Sequence, residues 1–90
     1  MDCEWDEIKA ASNIEKHGVS FDEAATVFLD PLSLSAHDPD HSAAEDRYIT
    51  FGHSSLGRLL SVCHTYRIGT IRIITARLAT QGERKLYEED

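Results

Sequence analysis

No stretch of these 90 residues stays apolar for the ~20 positions that a bilayer-spanning helix needs, so a transmembrane helix is excluded. The opening residues Met1-Asp2-Cys3-Glu4-Trp5-Asp6 are acidic and hold no apolar signal core, which predicts a protein that is not secreted. Cysteine is scarce: Cys3 and Cys63 show neither disulfide-framework nor metal spacing, and a reduced cytoplasmic setting is the expectation. Two prolines and five glycines are no enrichment and exclude a low-complexity chain. Positive charge is short as well. A net charge of −7 argues against a general nucleic-acid binder. With no internal repeat and no linker, residues 1–90 should form one domain around a single modest core.

What charge there is lies unevenly. Residues 1–46 hold twelve acids and two lysines, whereas residues 47–90 hold seven bases, six of them arginine, and four acids. That asymmetry suggests an acidic face and a locally basic face. Arginine's planar fork suits phosphate, and equally a carboxylate on a protein partner.

The pattern of elements is readable. Cys3-Glu4-Trp5 reads as a short strand, Asp6 as an N-cap, and residues 7–17 as a helix with Lys9, Asn13, Lys16 and His17 on one side. Gly18 suits the left-handed close of that helix, and Ser20 with Glu23 forms a capping box stapled by Val19 and Ala24. A second helix follows from Phe21 to Leu29, with Phe21, Ala24, Ala25 and Phe28 as its buried stripe, and ends at Asp30-Pro31. The period then becomes alternating. Leu32, Leu34 and Ala36 predict a half-buried strand, and Arg47–Phe51, Arg58–Tyr66 and Thr70–Arg77 predict three more. Thr80 and Glu83 repeat the capping box ahead of a short helix over 81–88. The order β-α-α-β-β-β-β-α, with two N-terminal helices, a short C-terminal helix and a mainly antiparallel sheet, is α+β.

These residues resemble the BrnT toxins of type II toxin–antitoxin modules. Glu4-Trp5-Asp6 with Lys9 and Asn13 looks like the family's opening, and Lys16-His17-Gly18-Val19-Ser20-Phe21 matches its most recognisable motif. Phe28-Leu29-Asp30-Pro31, Glu45-Asp46-Arg47-Tyr48-Ile49 with Gly52, Ile71 to Arg77, and Glu83 with Tyr87 follow in order. The resemblance implies a RelE-like fold and an endoribonuclease toxin that cleaves RNA and inhibits translation. It also implies a ribbon-helix-helix antitoxin of the BrnA type, with which the toxin represses its own operon, the operator DNA being held mainly by the antitoxin. Two positions depart from the family pattern. Tyr66 stands where an acid often precedes Arg67, and the last helix, with Leu78, Gln81, Gly82 and Leu86, is poor in arginine.

Cleaving RNA without a metal requires a proton taken from the 2′-hydroxyl, charge stabilised at the phosphate, and a proton given to the leaving oxygen. Arg77 is the first candidate for the phosphate, with a salt bridge to Glu83 or the acidic tail as the alternative. Glu83 is a candidate base that is also the capping-box residue of its helix, and Tyr87 either donates a proton or packs on the sheet. His17, beside Gly18 at a helix C-terminus, is a candidate acid or a cap. Lys9, Arg47, Arg67 and Arg72 are candidates for RNA or antitoxin contact, and the sequence does not separate those uses. His64 alternates with Leu60 and Val62 and reads as a core or rim histidine. His37-Asp38-Pro39-Asp40-His41 matches no tight zinc pattern and reads as a polar turn. No metal and no cofactor is expected. The rival reading is a non-catalytic toxin-fold protein that acts only as antitoxin partner and co-repressor.

Overall fold

The N-terminal helix pair is built by its caps. Asp6 accepts hydrogen bonds from the Ile8 and Lys9 amides at 2.8 and 3.0 Å and starts α1 (Glu7–His17). Gly18 closes it at φ 68°, and its amide donates to the Ile14 carbonyl at 2.8 Å. Two residues later the Ser20 hydroxyl accepts from the Glu23 amide at 3.0 Å and opens α2 (Phe21–Ala25). The single helix predicted to Leu29 changes character here. The Thr26 hydroxyl donates to the Glu23 carbonyl at 2.6 Å, competes with the α-helical ladder, and the chain tightens into a 3-10 turn over Thr26–Leu29.

In this computed structural model, which describes residues 2–89, the remaining elements are β1 (Asp2–Glu4), β2 (Leu34–His37), β3 (Tyr48–His53), β4 (Leu59–Arg67), β5 (Thr70–Leu78) and α3 (Gln81–Glu89). The sheet order is β1-β5-β4-β3-β2, antiparallel from β2 through β5, with β1 joining β5 in parallel. The α+β reading therefore holds, on a mixed sheet. β2 is shorter and more exposed than the half-buried strand expected of it, because it is an edge strand with a neighbour on one side only, and Leu32 lies outside it.

Helices cover one face of this sheet. Val19, Phe21, Ala24 and Val27 pack on Leu60, Val62, Ile73 and Ala76, with Trp5 and Phe28 half-buried at the margin. Trp5 meets Phe21 edge to face at 6.0 Å. The 3-10 turn lies so close to β3 that a Cβ on Gly52 would come 2.9 Å from a Val27 methyl, which is why glycine stands there. The other face is the more open one, although Leu59, Ser61 and Thr65 are buried on it. Residues opposite one another across strands share a face, so Ile49, Cys63 and Thr75 lie together on it, with Ser61 opposite Arg77. A register shift beside Cys63 and His64 leaves Ile74 as the extra residue of β5. It lets Ile73 and Ala76 both face the core while Thr75 and Arg77 face out.

Candidate functional site

The open face carries a groove of about 230 Å³ between the β2–β3 connection and the strands. Its floor is Ile49, Ser61, Cys63, Ile74 and Thr75, and its polar rim is Asp38, His41, Arg47 and Arg77. Arg77 comes from the end of β5. Its guanidinium donates to both Glu83 carboxylate oxygens, at 2.8 and 2.9 Å, and to the Leu78 carbonyl at 3.2 Å, which leaves other N–H donors available. That fork holds the Glu83 carboxyl at about 2 and raises Arg77 further. Glu83 also closes the predicted capping box, accepting from the Thr80 amide at 2.9 Å while its own amide donates to the Thr80 hydroxyl at 3.2 Å. A carboxylate so committed is a weak base near neutrality, and it holds the Arg77 guanidinium at two points.

Arg47 enters the groove from the residue before β3. Its amide donates to the Ser42 hydroxyl at 2.9 Å and its carbonyl accepts from the Asp38 amide at 2.8 Å, so the connection is pinned to the strand. The Ser42 hydroxyl in turn donates to the Asp38 carbonyl. Arg47 forms no ion pair among the described residues, and its Nε is buried without a partner.

The other sequence-predicted residues lie elsewhere. Tyr87 donates its hydroxyl to Asp30 at 2.6 Å and lies 3.1 Å from His53 Nδ1, a bond that pins α3 to the end of β3. The Asp30 carboxylate pushes that phenol up to about 12. Arg72 pairs with Glu4 at 2.6 Å and Arg67 with Glu45 at 3.3 Å. Lys9, Lys16 and His17 line a second depression, which shares Ile74 and Thr75 with the groove, so the two adjoin. Asn13, expected on the same solvated side, is buried and bonded to β5. His64 is a core residue.

The sequence reading missed Asp38 and His41 as groove residues because it weighed that segment only for metal. The available signal was Asp-Pro-Asp-His itself. Proline at the start of a 3-10 turn (Pro39–His41) brings positions i and i+3 side by side, and His41 Nδ1 sits 2.7 Å from Asp38 Oδ2. His37 turns away to Asp46 at 3.1 Å. Among the described residues no group of three His, Cys, Asp or Glu side chains is arranged to hold a metal ion.

Residues 5–83 match the family described as the ribonuclease toxin BrnT of type II toxin–antitoxin systems. The chain belongs to the BrnT family. Its structure is similar to the crystal structure of the Brucella abortus ribonuclease toxin BrnT, with a TM-score of 0.66 and 28% sequence identity over 90% of this chain and 99% of that one. No curated protein matches the sequence significantly. The BrnT match spans the whole groove and Glu83, and stops short of Tyr87. Membership of a type II toxin–antitoxin family implies an antitoxin partner. Among the described residues, no helix is long and apolar enough to cross a membrane.

Proposed function

We propose that this BrnT-family chain is a metal-independent endoribonuclease toxin that acts in the cytoplasm on the open face of its sheet. The observation that carries the reading is the convergence of Arg47 and Arg77 on one groove, on a fold shared with a ribonuclease toxin. In the reaction, the 2′-oxygen attacks the adjacent phosphorus and the bond to the 5′-oxygen breaks. Charge gathers on the phosphate oxygens, where two guanidiniums supply fixed positive charge without a metal. Glu83 orients Arg77 through its two-point ion pair. Lys9 and His17, in the adjoining depression, track flanking phosphates, and cleavage in cells halts translation.

The partner in this reading is a ribbon-helix-helix antitoxin of the BrnA type that neutralises the toxin. Their complex represses the operon, with the antitoxin holding the operator DNA. The test is direct. Purified protein should cut RNA in the presence of a chelator, and Arg77→Ala should lower the rate by about 10²-fold while RNA length and product ends stay the same. Full activity in the folded Arg77→Ala variant would remove that residue from the chemistry.

A second reading, a non-catalytic partner and co-repressor, draws on the Arg77–Glu83 pairing and the −7 charge. RNA left intact by the wild-type protein, together with tight binding to the product of the adjacent gene, would favour it.

A further inference from the structure

We propose that Asp38 and His41 form the proton-accepting pair of the groove, with His41 Nε2 as the general base for RNA cleavage and Asp38 as its positioning residue. The inference rests on the ribonuclease reading and deepens it. Asp38 is nearly enclosed, with 9% of its side chain exposed, whereas 66% of the His41 side chain is open to solvent on the groove rim. Asp38 Oδ2 lies 2.7 Å from His41 Nδ1, and Oδ1 accepts from the Asp40 amide at 3.2 Å. A carboxylate accepting from Nδ1–H fixes the tautomer whose Nε2 lone pair is free. The turn itself is held to β3 through Ser42 and Arg47, so the imidazole is carried on pinned backbone beside an arginine that faces the same groove.

Elimination points the same way. The charged or titratable groups that share the groove with His41 are Asp38 from its own turn, Arg47 ahead of β3, Cys63 from β4 and Arg77 from β5. Arginine stays charged throughout. Burial pushes the Cys63 thiol up, so it does not ionise near neutrality. Glu83, behind Arg77, is held at about 2. The His41 imidazole is the group in this set that holds a free nitrogen lone pair at the rim once its Nδ1–H is given to Asp38.

The step balances without a co-reactant. The 2′-hydroxyl proton passes to His41 Nε2, the 2′-oxygen bonds to phosphorus, and the bond from phosphorus to the 5′-oxygen breaks. The 5′-oxygen takes a proton from water, and the imidazolium later returns its proton to solvent. The products are a 2′,3′-cyclic phosphate and a 5′-hydroxyl.

Turnover of a short RNA is measured against pH for the wild-type protein, His41→Gln and Asp38→Asn, with binding of the matching 2′-O-methyl RNA as a control. The wild-type rate should rise through the neutral range to a plateau. His41→Gln should cut kcat by about 10²-fold or more, abolish that inflection and leave analogue binding unchanged. Asp38→Asn should lower kcat and leave analogue binding unchanged, because the imidazole loses the acceptor that fixes its Nδ1–H tautomer. A His41→Gln variant with kcat within about threefold of wild type and the same inflection would overturn the proposal. So would a loss of analogue binding that matches the loss of rate, since His41 would then be a binding residue. Wild-type protein that cuts no RNA defeats the ribonuclease reading first, and this one with it.

Discussion

His64 lies on the covered face of β4 with no solvent exposure, and burial pushes its imidazole down to about 4. Phe28 and Tyr66 meet it edge-on at 4.9 and 5.3 Å, Tyr48 stacks at 6.1 Å, and Thr50 Oγ1 lies 2.7 Å from Nε2. Nδ1 is left without a partner, so the ring is stable there only when neutral. In the unfolded chain the same histidine takes a proton near its usual value of about 6.5. The stability tied to the neutral ring is therefore complete above about pH 6.5 and is lost as pH falls to about 4. The loss across that window should approach roughly 3 kcal/mol. Urea unfolding followed from about pH 7.5 down to 4 should show it, and His64→Gln should flatten the slope. An equal slope in the variant would place the titration elsewhere. Glu83 does not confuse this window, because its depressed carboxyl contributes above about 4.5 and loses that contribution lower, on the way to about 2.

Beside the packing of Ala10 on the core, α1 is hydrogen-bonded to the sheet through one side-chain amide. β1 pairs with β5 only over Asp2–Glu4, so the remaining edge of β5 needs another partner. Asn13 supplies it: its Nδ2 donates to the carbonyls of Ala76 and Val19 at 2.8 and 2.9 Å, and its Oδ1 accepts from the Ala76 amide at 3.1 Å. Asn13→Ala should destabilise the fold by about 2–3 kcal/mol, because buried backbone groups lose their partner. It should also speed hydrogen exchange at the Ala76 amide, and an unchanged unfolding midpoint would deny Asn13 this role. This contact marks the limit of what the sequence could reveal. Asp6, Gly18, Ser20 and Thr80 were legible because a cap acts on groups within four residues. Asn13 bonds a residue 63 positions away, and nothing local distinguishes that use from a solvated helix face. The groove divides in the same way. Arg77 and Arg47 were visible as charges at strand ends, whereas the pairing of Asp38 with His41 depends on a 3-10 turn, and the outward direction of Thr75 and Arg77 depends on a bulge.

At the scale of the whole molecule, the charge imbalance between the two halves becomes cross-stitching more than two faces. Glu4, Glu23 and Glu45 of the acidic half pair with Arg72, Arg58 and Arg67 of the basic half, and composition cannot show this because register decides the partners. The arginines so matched are engaged within the fold, whereas among the described residues Arg47 on the groove forms no ion pair and Arg77 is matched only by its local Glu83. The three stitches are not equal. Glu4–Arg72 and Glu45–Arg67 are solvent-facing pairs, screened and weak. Glu23 is buried; the Arg58 guanidinium donates to both of its carboxylate oxygens, and the Ser54 hydroxyl donates to it at 2.7 Å. The Arg58 fork holds the Glu23 carboxyl below the usual range, so the pair stabilises above that range and fades as pH falls through the depressed value. Arg58→Met strands a buried carboxylate and should lower the melting temperature by ~10 °C at neutral pH, while Arg72→Met should shift it by about a few degrees at most. Adding Glu23→Met to Arg58→Met should recover much of the loss, since the cost lies in the unpaired charge more than in the missing bond. The deficit of Arg58→Met alone should also shrink near pH 4, where the stranded carboxyl can take up a proton. Equal effects of Arg58→Met and Arg72→Met, or no recovery in the double variant, would show that Glu23 is solvated well enough to stand alone.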